Sequence, residues 1–353
     1  MKLENLSLEN RFLIDFLKAG LEQDPSFLDS YNPSKLNWDV IFEKALRHRI
    51  APFFSFVIRQ TAREFSVPGS AKELFHKIYK QSMERNLFIY KTAEKITDGF
   101  KEYKIPLMFI RGPILGKDLY PDIALRPMAD LDLLIKKDDI PKAHDALNRL
   151  GYQNFISSYE PQRIYINENI ELLLEIELNW DLEPGFGKDK DLLALEPEFL
   201  LIHLLVHLNK HIRRGETKLI WFCDIYLFIK RYGHTMDWEG FSGMIKNMRL
   251  EKHTYEILYL LKEWFGISYP DCVENGVKTI RHFYTEYDIF NPDSKHRMIY
   301  IKRPGLRVLF PDKKFMARFY SEDGKSFSYF FYLLRLYRGA VMAFNTLSRK
   351  LTR

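Results

Sequence analysis

Cysteine is scarce: Cys223 and Cys272 are the two in 353 residues. One pair cannot staple a chain of this length into a disulfide framework, so a reducing, cytoplasmic setting is the expectation. Long apolar runs are missing as well. None approaches the ~20 residues that cross a bilayer, and the opening MKLENLSLEN lacks the basic-then-apolar order of an export signal. Neither sign of charge dominates: 53 Lys and Arg against 47 Asp and Glu leave +6. That balance suits a phosphate-bearing substrate and makes nucleic acid an allowed but not a required partner. What is present is core material, since a chain 46% hydrophobic and 15% aromatic can bury enough surface to fold.

The chain is organised around the stretch from Ile105 to Gly151. Pro106 to Ile110 reads as a buried strand that stops at Arg111-Gly112, and a short helix is expected from about Ile114 to Tyr120. A second apolar run, Ala129 to Ile135, carries two acids in alternation. In a strand, side chains alternate between faces, so Asp130 and Asp132 share one side while Leu131 and Leu133 share the other. Two carboxylates that close on a buried strand repel and lose hydration, so they need a cation. A hard divalent ion such as Mg²⁺ or Mn²⁺, held jointly with substrate phosphates, fits those ligands. Alternating Asp and Leu also describes an edge strand with one wet face. Asp138 or Asp139 then caps a helix from Ile140 to Leu150 that Gly151 stops. Strands follow at Tyr152–Ile156, Arg163–Ile166 and Ile170–Leu178.

The flanks read as helical. Leu6 to Leu17 has helical spacing, Trp38 to Ile58 forms one amphipathic stretch, and Ser70 to Tyr103 forms one long helix. His48, between Arg47 and Arg49, belongs to a solvated basic face, with contact to an anionic substrate as the alternative. Beyond residue 182, Glu196-Pro197-Glu198 starts a helix with Pro at an early position. It brings His203, His207 and His211 onto one face at intervals of four. That spacing is compatible with zinc, but no HExxH or cysteine pair accompanies it. His207, Lys210 and His211 are candidates to touch substrate phosphates, and interior packing is the alternative. Asp224 is a candidate partner for a histidine or an arginine. From Ser294 the chain is basic and aromatic. A helix from Tyr329 to Leu347 would suit a membrane surface or a partner, and packing on the helical lobe is the plainer alternative.

A glycine turn after a strand, with D-x-D on the next strand, resembles the nucleotidyltransferase superfamily typified by DNA polymerase beta. The fuller wording is Arg111-Gly112, Leu119-Tyr120-Pro121-Asp122, Leu125-Arg126-Pro127-Met128 and Asp130-Leu131-Asp132-Leu133-Leu134-Ile135, followed by Leu150-Gly151-Tyr152. It is similar to an uncharacterised bacterial nucleotidyltransferase family. Asn37-Trp38-Asp39, Arg47 through Pro52, Leu178-Asn179-Trp180, and His207 through His211 with Asp224 extend the likeness over roughly residues 35 to 320.

The resemblance implies an α+β fold: a small mixed sheet at 104–182, flanked by an N-terminal helical lobe at 1–103 and a C-terminal helical region at 183–353. It also implies a third acid on a later strand. Glu171, Glu175 and Glu177 share parity there, and Glu177 matches best because Leu178-Asn179-Trp180 follows it; Glu175 is the fallback, and a contribution from both is the further alternative. The implied chemistry is Mg²⁺-dependent transfer of a nucleoside monophosphate from a nucleoside triphosphate to an unknown acceptor, which could be a small molecule, sugar, peptide, protein or RNA. Asp130, Asp132 and Glu177 would bind metal, Gly112 would let phosphate approach the backbone, and Arg111 and Arg126 would meet phosphate oxygens. Three positions depart from the pattern: Pro113 replaces the usual serine after the glycine, Arg111 replaces a lysine before it and keeps the charge, and Asn179 replaces a histidine. They keep open a fold that binds without turnover. A toxin-type transferase acting on RNA or protein is the third alternative.

Overall fold

The chain opens with helices whose apolar faces need one another. Leu8–Glu22 (α1), Trp38–Arg47 (α2), Ala51–Gln60 (α3) and the 34-residue Gly69–Glu102 (α4) come first. Phe16 of α1 stacks on Phe54 of α3 at 4.1 Å, and Phe54 stacks on Phe75 of α4 at 4.2 Å. Each such pair contributes about 0.5–1.5 kcal/mol beyond its burial. The stretch read as continuous from Trp38 to Ile58 is in fact two helices. Arg49 takes a left-handed φ of 58°, and Pro52 suits the first turn of α3. No glycine marks this break, so the sequence does not advertise it. His48 is fully buried rather than solvated, its Nε2 3.4 Å from the Phe290 carbonyl oxygen.

The sheet follows. Its strands are Met108–Phe109 (β1), Asp130–Leu134 (β2), Gln153–Ile156 (β3), Gln162–Ile166 (β4) and Glu175–Asn179 (β5). The order is β1-β2-β5-β4-β3; β2 and β5 run parallel and every other neighbouring pair is antiparallel. Strand β2 is therefore interior, which overturns the edge-strand alternative. Helix Gly112–Asp118 (α5) links β1 to β2, and Ile140–Arg149 (α6) follows β2. Neither Asp138 nor Asp139 caps α6 through its side chain; a 3₁₀ turn, Lys137–Asp139, leads in instead. Gly151, at φ 84°, ends α6 as expected, and a Cβ there would meet Asn167 Nδ2 at 2.9 Å. Leu131, Leu133, Ile176 and Leu178 are fully buried with Ile89, Ile96 and Phe100 of α4 and Ala143 and Leu147 of α6.

A second helical set covers the remainder: Pro197–Arg214 (α7), Leu219–Tyr232 (α8), Trp238–Asn247 (α9), Glu251–Phe265 (α10), Asp271–Thr279 (α11) and Glu286–Phe290 (α12). These helices share one hydrophobic core with α1–α3, and Ile110, Leu115, Tyr120 and Leu134 from around the sheet join it. Early and late helices thus close over the same interior.

The computed structural model describes residues 1–60, 67–156, 162–167, 174–180, 196–280 and 284–290. All lie within one unit, Met1–Pro292. The basic aromatic tail, Glu171 and the start of the strand expected from Ile170 lie outside the described residues. Among the described residues, no helix is long and apolar enough to cross a membrane.

Candidate active site

The lead-in to β2 is held from α4. Asn86 donates through Nδ2 to the carbonyls of Ile123 (2.6 Å) and Arg126 (2.9 Å), and its Oδ1 accepts from the Met128 N–H at 3.2 Å. Ser82 donates to the Ala124 carbonyl, and Arg85 donates to the carbonyls of Met128 and Ala129. Pro127 biases the residue before it toward extended backbone, and Arg126 sits at φ −111°, ψ 84°. The Leu-Arg-Pro-Met wording thus describes a clamped, extended approach that delivers Asp130 to the sheet.

Parallel pairing then assembles the acids. Asp130 lies opposite Glu175, and Asp132 lies opposite Glu177. Register partners on neighbouring strands share a face, so the acids come together on the side away from Leu131 and Ile176. Asp132 is buried, Asp130 and Glu177 are half-buried, and Glu175 is exposed. Burial, then the carboxylates of Asp132 and Asp130, push the Glu177 pKa up to about 8. Burial and Asp132 likewise raise that of Asp130. The group carries more negative charge than its surroundings neutralise.

Arg111 is the cation in direct contact. Its Nη2 donates to Asp132 Oδ1 at 2.6 Å, and its Nη1 donates to His207 Nδ1 at 2.6 Å. Burial and the Arg111 charge hold His207 well below the ordinary histidine range, consistent with a neutral ring that accepts. His203, one turn earlier on α7, is buried with neither ring nitrogen hydrogen-bonded among the described residues. Burial first, then Arg111, pushes its pKa down to about 3. His211 packs against His207 and Trp221, and its Nδ1 is 3.3 Å from Glu216. Lys210 is exposed on the same helix. The structure therefore ties His207 to the acids through Arg111 and gives His211 a packing position beside Trp221.

Arg126 has another occupation than the one expected of it. Its Nε and Nη2 grip Asp224 Oδ1 and Oδ2 at 2.7 and 2.9 Å, and both side chains are buried. Tyr120 donates to the same carboxylate at 2.7 Å. The guanidinium thus braces the turn from behind, its Nη1 3.5 Å from the Gly112 carbonyl. Gly112 is also explained from within, because a Cβ there would meet the Met128 sulfur at 3.2 Å. Pro113 occupies the first turn of α5, buried.

Three carboxylates are hard oxygen donors, and the raised pKa values of Asp130 and Glu177 mark an uncompensated negative site; both fit a hard divalent cation. As the side chains stand, no three His, Cys, Asp or Glu residues among the described residues form a group that could hold a metal ion. Arg111 takes up one Asp132 oxygen.

A family model described as "Uncharacterised nucleotidyltransferase" matches residues 34–266. It spans every acid, arginine and histidine named above and stops short of residue 320, where the motif likeness ends. No curated protein and no solved structure matches the chain.

Proposed function

Since the chain belongs to this uncharacterised nucleotidyltransferase family, and so to proteins with a general role in nucleotidyl transfer, we propose that it moves a nucleoside monophosphate from a nucleoside triphosphate to an acceptor hydroxyl with Mg²⁺ (or Mn²⁺) as cofactor. The observation that carries this reading is the in-register set Asp130, Asp132 and Glu177 on two parallel strands, half-open and short of positive charge.

In this reading Asp130, Asp132 and Glu177 hold the metal. Bound there, Mg²⁺ supplies Lewis-acid polarisation and charge neutralisation at the phosphates. The chain's own task is positioning and electrostatics. Arg111, released from Asp132, would offer its fork to a phosphate oxygen while His207 keeps it in place. The acceptor oxygen attacks the α-phosphorus, the bond to the bridging β-phosphate oxygen breaks, and pyrophosphate leaves. The acceptor's proton passes to a Glu177 carboxylate oxygen.

The test uses triphosphates labelled at the α-phosphate, incubated with Mg²⁺ and, in turn, cell metabolites, RNA or protein. Label should enter one acceptor class with the wild-type chain and not with Asp130→Ala. Label transfer equal in the two proteins would overturn the reading. A second reading, binding without turnover, is favoured by Pro113 at the turn and by the Arg111–Asp132 pair; it predicts triphosphate binding with no transfer to any class.

A further inference from the structure

Helix α2 ends in a paired stop: the Ile50 N–H reaches the Ala45 carbonyl at 2.9 Å and the Arg49 N–H reaches the Leu46 carbonyl at 3.1 Å. This arrangement places Arg49 in the left-handed region, a position usually filled by glycine. Gln23, Lys104 and Arg249 also hold positive φ at helix ends, and all three are exposed. Of these four non-glycine residues, only Arg49 is drawn inward to a half-buried position.

What it is drawn toward follows from the packing. The turn is pinned to α8, where the Ile220 N–H lies 3.4 Å from the His48 carbonyl. The Ile220 carbonyl is 3.3 Å from the Tyr120 hydroxyl, which also bonds Asp224. Asp224 in turn grips Arg126, which lies behind Gly112. A continuous hydrogen-bonded path thus fixes the Arg49 turn against the glycine turn. Burial lowers the Arg49 pKa, and the Asp130 carboxylate works against that effect, so the guanidinium and this acid feel one another.

The other arginines around the acids are committed: Arg111 to Asp132 and His207, Arg126 to Asp224, and Arg85 to the carbonyls of Met128 and Ala129. The Arg49 guanidinium makes no hydrogen bond or ion pair with any described residue. Lys218, half-buried with its Nζ 3.4 Å from the Arg47 carbonyl, adds positive charge beside it. A half-buried guanidinium without a fixed partner, kept where glycine would fit the backbone better, is a cation waiting for an anion.

We propose that Arg49 receives the outer phosphates of the triphosphate, a role that rests on the transferase reading above. The α-phosphate must lie at the acids, and the outer phosphates carry most of the remaining charge away from them. Arg49 and Arg111 then bracket the chain of phosphates, Arg49 donating from both arms of its fork and Arg111 from the Nη2 that leaves Asp132.

Calorimetric titration of the full chain with Mg²⁺ and each of ATP, GTP, CTP and UTP first finds the triphosphate that binds. That nucleotide and its monophosphate are then titrated into Arg49→Gly and Arg49→Lys. Arg49→Gly should weaken the triphosphate about 10- to 100-fold, the range expected of one lost charge-assisted bidentate contact. The monophosphate should change less than about twofold, and Arg49→Lys should recover part of the loss. The Tm of Arg49→Gly should not fall, because glycine suits the left-handed turn. Unchanged triphosphate affinity, equal losses for both nucleotides, or a lowered Tm would each overturn the assignment while leaving the transferase reading in place. A wild-type chain that binds none of the four would bring down that reading, and the role of Arg49 with it.

Discussion

Replacing Asp224 by Asn tests whether Arg126 is a brace or a substrate contact. The change keeps the shape of the side chain and removes its charge. Arg126 and Asp224 side chains are 10% and 3% exposed, so the guanidinium would be left buried and uncompensated. Breaking one side of a buried pair costs about 3–5 kcal/mol. The Tyr120 hydroxyl, which shares the same carboxylate, loses part of its hydrogen bond as well. At about 2 °C per kcal/mol for a unit of this size, Tm should fall by about 6–10 °C. A paired replacement, Arg126→Met with Asp224→Leu, removes both charges and should recover stability to within about 1–2 kcal/mol of wild type. Urea unfolding and thermal melts read both effects. The same paired variant separates the two roles of Arg126, since a brace can be replaced by packing and a phosphate ligand cannot. Calorimetry should find its Mg-triphosphate affinity within about threefold of wild type, well under the tenfold that 1.4 kcal/mol represents. A stable paired variant that has lost binding would place Arg126 on the substrate and refute the argument.

The pH dependence of stability should report Glu177. Its folded pKa is raised from 4.5 to about 8, so its contribution is fully present below pH 4.5 and is lost as pH rises toward 8. Glu177→Gln imitates the protonated acid. Its melting temperature should match wild type at the acidic end and exceed it above pH 8, by up to about 3–5 kcal/mol of stability; parallel profiles across the window would refute this. Arg111→Met removes the cation on Asp132 and leaves that acid without its counter-charge. The variant should melt lower than wild type, and added Mg²⁺ should raise its Tm by more than it raises that of wild type. An equal Mg²⁺ increment in the two proteins would show that Arg111 and the ion do not compete.

The parts of this fold legible in the sequence are those governed by local period. Asp130 and Asp132 alternate with leucines that must be buried, and Glu177 lies in phase with its neighbours, so pairing β2 with β5 brought the acids together. The helix predicted over Ser70–Tyr103 is observed as Gly69–Glu102 because its apolar repeat runs unbroken. Features that depend on distant partners were not legible. Arg126 finds Asp224 98 positions away, and nothing in Leu-Arg-Pro-Met distinguishes a buried brace from a phosphate clamp. The break between α2 and α3 carries no glycine, so the inward turn of Arg49 left no signal beyond a residue in a familiar string. His48 looked solvated because two arginines flank it, whereas tertiary packing buries it. The shared interior of the early and late helices was equally hidden, since each amphipathic stretch displays only its own face.

The central claim is that Asp130, Asp132 and Glu177 act together to hold a divalent cation with a triphosphate. Mn²⁺ paramagnetic resonance, titrated with a non-hydrolysable triphosphate, measures this directly on wild type and on Asp130→Asn, Asp132→Asn and Glu177→Gln. Wild type should quench the free-ion signal cooperatively with nucleotide, and each variant should weaken that quenching by about tenfold or more, the loss expected when one carboxylate leaves a metal site. Quenching of equal strength in all four proteins would contradict the account.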